Sequence, residues 1–120
     1  MNYVLVFIGG GLGCVIRYLI GLLFLKSDLS LPVATLISNV AACLIFVIVL
    51  AFINLKPDLA PFSRPLLLTG FCGGLSTFSA FSYESYLLFQ RQMYFVGFAN
   101  ILLSCLLCVS LFFILNKFQA

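Results

Sequence analysis

Four long apolar stretches separated by short polar breaks occupy nearly the whole chain: residues 4–25, 31–55, 65–89 and 93–116. The first holds one formal charge, Arg17, the third holds one, Glu84, and the second and fourth hold none. About 20 apolar residues cross a bilayer as a helix. The pattern therefore predicts an all-α membrane protein with four transmembrane helices, forming one domain over residues 1–120. Apolarity is continuous rather than alternating, which argues against a membrane β-barrel. The breaks are Lys26–Ser30, which contains Asp28, then Lys56–Arg64, with Pro57 and Pro61, and Gln90–Gln92. Short connections predict antiparallel packing of sequence neighbours. An even number of spans puts both termini on one side. No basic residue precedes the first run, so it is read as a span and not as a signal peptide.

Polar groups at membrane depth are costly, so each needs a reason. In the first span Gly9, Gly13, Arg17 and Gly21 recur at i, i+4 and share a face. Glycines there are expected to allow close helix approach. Arg17 has two readings: a structural or vestibule role, such as capping a broken neighbour, or a direct ligand role. In the second span Thr35, Asn39 and Cys43 share a face. Asn39 is expected either to hydrogen-bond another helix or to face a pore as a donor.

The third span is the most informative. Between Thr69 and Ser82 it carries Gly70, Gly73 and Gly74 and the hydroxyl residues Thr69, Ser76, Thr77, Ser79 and Ser82. Gly73–Gly74 is expected to weaken the helix, giving either a third helix broken at mid-membrane or one that is kinked but unbroken. Irregular backbone at that depth is tolerated only when buried in protein or lining a wet cavity. Carbonyl ends of such breaks hold cations and amide ends face anions. Phe78 and Phe81, at i, i+3, share a face among the hydroxyls. An aromatic ring has a positive edge, which can meet a small anion without a full counter-charge. In the fourth span Asn100, Ser104 and Cys108 form a polar line at i, i+4, either packing hydrogen bonds or a pore wall.

Composition narrows the chemistry. The chain has 120 residues, 64% hydrophobic and 8% charged, with neither His nor Trp and only three carboxylates. Most acid–base machinery is missing, which argues against an enzyme. The cysteines Cys14, Cys43, Cys72, Cys105 and Cys108 all lie within spans. With no His and no second C-x-x-C pair, zinc is not expected, and no redox role is assigned. Lys and Arg in the breaks set orientation. Lys56, Arg64 and Lys117 stand on the terminal side against Lys26 and Arg91 on the other. That near balance leaves open both a single orientation and dual insertion as an antiparallel pair.

Three motifs then carry a resemblance. Residues Gly9-Gly10-Gly11-Leu12-Gly13-Cys14-Val15-Ile16-Arg17-Tyr18, Thr35-Leu36-Ile37-Ser38-Asn39 and the run from Gly70 to Glu84 resemble, in order and spacing, the signatures of the Fluc fluoride channels, the CrcB proteins. Ala34 and Ser76 depart from the family's common Gly and Thr, and Asn100 and Cys108 stand where hydroxyl residues are common. The resemblance implies an antiparallel dual-topology homodimer with two fluoride pores in a prokaryotic plasma membrane. It places Phe78 and Phe81 along each pore, Asn39 as a pore-lining donor, and Ser79 with Asn100, Ser104 and Cys108 as a polar track opposite the rings. It implies a structural Na+ at the dimer interface, held by the backbone carbonyls of Gly73 and Ser76, with no organic cofactor and no nucleic-acid partner. Glu84 matches a position near a pore end, and Arg17 matches the family arginine.

Two rivals make different demands. A small dual-topology multidrug exporter needs a carboxylate in its first span, where this chain has Arg17 instead. A non-transporting membrane assembly subunit would explain the glycine faces but not the spaced Phe and hydroxyls beyond Gly74.

Overall fold

The computed structural model describes residues 1–25 and 32–119. The first expected connection, Lys26–Ser30 with Asp28, lies outside the described residues. Helix α1 is Asn2–Leu23 and α2 is Val33–Leu55. The third span, Pro57–Gln90, divides into α3 (57–75) and α4 (Phe78–Gln90). Helix α5 is Tyr94–Gln119. Among the described residues, four helical stretches are thus long and apolar enough to cross a membrane.

The second connection differs from the loop expected over Lys56–Arg64. Helical structure resumes at Pro57 as a single tight turn, Pro57–Leu59, and continues into Ala60–Ser63. Lys56 alone is non-helical, with φ −133° and ψ 75°, as the steric demand of a following proline requires. Pro57 then starts the next helix, where its missing N–H costs nothing. Residues Arg64–Cys72 are wound more widely, as a π-helix. Pro65 has no N–H to donate, and its ring crowds the carbonyl four residues before it; a wider turn relieves that crowding.

Helix α1 packs along α3 with almost no side chain between them. A Cβ on Gly9 would overlap the carbonyl of Leu66, one on Gly13 the carbonyl of Phe71, and one on Gly74 the carbonyl of Gly10. The glycine face expected on α1 is therefore real at Gly9 and Gly13, both buried. Gly21 is a correction: nothing lies within 4 Å of a Cβ placed there. Gly73 and Gly74 are helical, with Gly73 at φ −63° and ψ −36°. Gly74 is small because Gly10 lies against it, not because the helix yields there.

Elsewhere larger side chains do the packing. Val49, Ile53 and Leu68 form a buried cluster joining α2 to α3, extended by Ile45, Phe46, Leu50 and Leu67. Phe46 meets Phe112 of α5 edge-on, with centroids 5.7 Å apart. Helices α4 and α5 are joined by a tight turn. The Met93 N–H donates to the Leu88 carbonyl and the Gln92 N–H to that of Phe89, with Gln92 left-handed at φ 60°. This is a Schellman closure in which Gln92 occupies the place glycine usually fills.

Candidate functional site

Helical backbone lapses between α3 and α4. Ser76 (φ −80°, ψ 154°) and Thr77 (φ −151°, ψ 119°) are extended, and the helix restarts at Phe78. Such a lapse strands backbone donors and acceptors, and each unsatisfied group costs several kcal/mol in an apolar medium. The chain supplies partners from three elements. The Asn39 amide of α2 makes two contacts with the backbone of Thr77. Its Oδ1 accepts from the Thr77 N–H at 2.7 Å, and its Nδ2 donates to the Thr77 carbonyl at 3.3 Å. The Thr77 Oγ1 accepts from the Ala80 N–H at 3.2 Å, an N-cap for α4. Arg17 of α1 donates through Nε to the Gly74 carbonyl at 3.1 Å, placing a cation at the carbonyl end of α3.

Asn39 thus acts as a clamp on the lapse, and Arg17 takes the capping option open to it from the sequence. The clamp also diverts a bond. The Thr77 N–H would close the next helical turn on the Gly73 carbonyl, but it is directed to Asn39 instead. Ser76 spends its N–H and hydroxyl on the Cys72 carbonyl, at 2.9 and 2.8 Å, which leaves its own carbonyl uninvolved in those bonds.

Two cavities meet at Thr77. The first, about 420 Å³, is lined by Arg17, Gly21, Thr35, Ser38, Thr77 and Glu84 among others. In it the buried Thr35 donates its hydroxyl to Glu84 Oε1 at 2.7 Å, while Glu84 Oε2 is buried without a partner among the described residues. The second, about 330 Å³, is lined by Asn39, Cys43, Ser76, Thr77, Phe78, Phe81, Ser104, Cys105, Cys108 and Val109. Among the described residues its walls carry no formally charged side chain. The Phe78 and Phe81 rings lie 5.8 Å apart at 41°. Phe78 is 80% exposed. Ser104, only 6% exposed, has a hydroxyl with no hydrogen-bond partner among the described residues.

Six of the residues singled out from the sequence therefore share the second cavity: Asn39, Ser76, Phe78, Phe81, Ser104 and Cys108. The others go elsewhere. Gly73 lines a smaller adjoining cavity of about 130 Å³ together with Ser76, Cys43 and Cys72. Ser79 is exposed and pairs with the Thr77 hydroxyl at 3.3 Å. Asn100, expected in line with Ser104 and Cys108, is buried and turned to α4. Its Nδ2 donates to Ser85 Oγ at 3.0 Å, and Ser85 Oγ donates to the Phe81 carbonyl at 2.8 Å. Thr77, Cys43 and Cys105 were missed as lining residues. For Thr77 a signal existed, since Thr is a favoured N-cap just ahead of a helical run.

Among the described residues no group of three or more His, Cys, Asp or Glu could hold a metal ion.

Four membrane-length helices, with buried polar groups converging on a lapse in the third, define a multi-pass helical membrane protein. Residues 4–115 match the family model described as CrcB-like protein, Camphor Resistance (CrcB). The chain belongs to this family. It is 39% identical to the fluoride-specific ion channel FluC of Flavobacterium psychrophilum, over 83% of this chain and 82% of the relative. It is 41% identical to the FluC proteins of Coxiella burnetii (strain CbuK_Q154) and Pyrococcus horikoshii, over 92% of this chain and 90% and 89% of theirs.

Proposed function

We propose that the chain is a fluoride-selective channel of the inner (plasma) membrane that lets cytoplasmic fluoride leave passively and so limits its toxicity. The observation that carries this reading is the second cavity: two aromatic rings, an amide and, among the described residues, an unpartnered hydroxyl on Ser104 and no fixed charge in the wall. The relatives named fluoride-specific ion channel support it.

The physical logic follows from the ion. Fluoride is small and strongly hydrated, so a pore must replace its water with donors while binding weakly enough to release it. The Ser104 hydroxyl supplies a donor, and Phe78 and Phe81 supply positive ring edges. The remaining amide hydrogen of Asn39 points from a side chain already anchored to Thr77. Of the two cavities, the first carries the fixed charges among the described residues: there Arg17 attracts anions and Glu84 marks the pore end. Ser79 and Asn100 complete the polar track, Asn100 acting through Ser85 and the Phe81 carbonyl. Hydrogen fluoride enters as a neutral acid and ionises inside. An inside-negative potential then drives the anion out with about 2.3 kcal/mol per charge per 100 mV. Conduction of this kind requires no catalytic group.

The working unit is an antiparallel dual-topology homodimer with its third helix broken at mid-membrane. The near balance of connecting charges and the 80% exposure of Phe78 support a second copy completing each pore. A structural Na+ at the dimer interface fits the chemistry of the lapse. The Gly73 carbonyl has lost its helical N–H to Asn39, and carbonyl oxygens are the donors a hard cation takes. Gly73 and Ser76 would hold the ion through their carbonyls, and it would supply positive charge that locks the two copies together.

The deciding experiment loads liposomes carrying purified protein with fluoride or chloride and follows release with ion electrodes. Fluoride release far faster than chloride release is expected. No fluoride release from vesicles verified to contain folded protein would end this reading. Topology reporters fused at Ala120 should register both orientations; one orientation alone would remove the antiparallel dimer.

A further inference from the structure

The second cavity also brings thiols from two helices together. Cys43 of α2 and Cys105 and Cys108 of α5 all line it, and Cys43 and Cys108 are close enough to interact directly across it. All are free cysteines. The pair faces the same open volume as Phe78, Phe81 and Ser104, so a bound ion there would stand in the path assigned to the anion.

We propose that Cys43 and Cys108 form a two-thiol site for a soft, thiophilic metal ion, and that its occupation closes the fluoride path. The second half of this rests on the channel reading; the first does not. Soft thiolates select soft d10 ions, and Hg(II), Ag(I) and Cu(I) accept two nearly linear sulfur ligands. Two neighbouring thiols on the wall of one cavity can bridge such an ion by side-chain rotation. The absence of any group of three or more His, Cys, Asp or Glu among the described residues points away from tetrahedral zinc and toward two-coordinate ions. Binding replaces two S–H bonds by two metal–sulfur bonds and releases two protons. No oxidant or reductant is involved. Cys105, on the same helix three residues before Cys108, lies near the pair. Cys14 is exposed on α1 and Cys72 is buried in α3, and neither lines this cavity.

Hg(II) is the probe. In the liposome assay, micromolar Hg(II) should slow wild-type fluoride release at least about tenfold, and dithiothreitol should restore it. A variant keeping only the pair (Cys14→Ser, Cys72→Ser, Cys105→Ser) should be blocked in the same way. Cys43→Ser and Cys108→Ser, each compared with its own rate before metal, should need at least about tenfold more Hg(II). In parallel, Hg(II) titrated into detergent-purified protein and followed by thiolate-to-mercury charge-transfer absorbance should show a tight site of one ion per chain. That site should be absent from Cys43→Ser/Cys108→Ser. The titration reads the pair even if the protein conducts no fluoride, so failure of the site and failure of the channel reading are separable. Loss of the tight site in the pair-only variant, its survival in Cys43→Ser/Cys108→Ser, or block that persists unchanged in both single variants would overturn the proposal.

Discussion

The α1–α3 contact and the cavity between α2, α4 and α5 solve opposite problems within the same four spans. In the first, backbone touches backbone: Gly9, Gly13 and Gly74 sit where any Cβ would overlap a carbonyl. In the second, space is kept open and its walls carry rings, hydroxyls, an amide and thiols. In lipid there is no hydrophobic drive to pull helices together. Tightness has to come from close van der Waals approach, and glycine supplies it on one side of α3. The lapse at Ser76–Thr77 is then braced from that rigid side by Arg17 and from the opposite side by Asn39. One region fixes position so that the other can stay open.

The largest effect should come from filling the tight side. Gly13→Leu is expected to leave no folded protein, and Gly13→Ala to destabilise by about 1–3 kcal/mol, read as a lower melting temperature in detergent. Gly21→Ala should gain up to about 1 kcal/mol in the same assay, because its surroundings are open. Equal effects at the two positions would erase the contrast between them.

Next comes the clamp. Asn39→Ala strands both the Thr77 N–H and its carbonyl, and should lower stability by about 1–3 kcal/mol, with fluoride release falling as well. A variant that melts with wild type would show that the lapse needs no brace from α2.

On the open side, Phe81→Ile removes a ring edge while keeping an apolar side chain. Fluoride release should drop by about tenfold, equivalent to about 1.4 kcal/mol in barrier, with the helical signal and oligomeric state unchanged. An unaltered rate would take the rings out of the pathway.

The smallest expected effect lies away from both regions. Gln92→Gly relieves a left-handed non-glycine residue in the α4–α5 turn and should raise stability by about 1 kcal/mol without altering release. A loss of stability would mean that the Gln92 side chain matters more than its backbone.

Much of the site was legible along the chain because its residues recur at helical spacing. Phe78 and Phe81 share a face by their i, i+3 separation, and both line the second cavity with Asn39, Ser104 and Cys108. Asn100 had the same spacing as Ser104 and Cys108, yet it turns to Ser85. A period of four drifts around a helix with 3.6 residues per turn, so one end of a polar line can meet a different neighbour. Gly73–Gly74 carried the strongest local signal for a weak helix, but the extended residues are Ser76 and Thr77. Propensity lost there to tertiary demand: Gly74 is required against Gly10, and Asn39 rewards an extended Thr77 with two hydrogen bonds.

Apolar run length and the scarcity of charge were enough to establish four helical spans, because a bilayer admits few alternatives. They were also enough to mark the third span as irregular and polar. Which carbonyl Arg17 caps, which backbone groups Asn39 holds, and that Cys43 meets Cys108 could emerge only from packing. Each joins residues on different helices, and their approach is set by how closely glycine lets α1 and α3 come together.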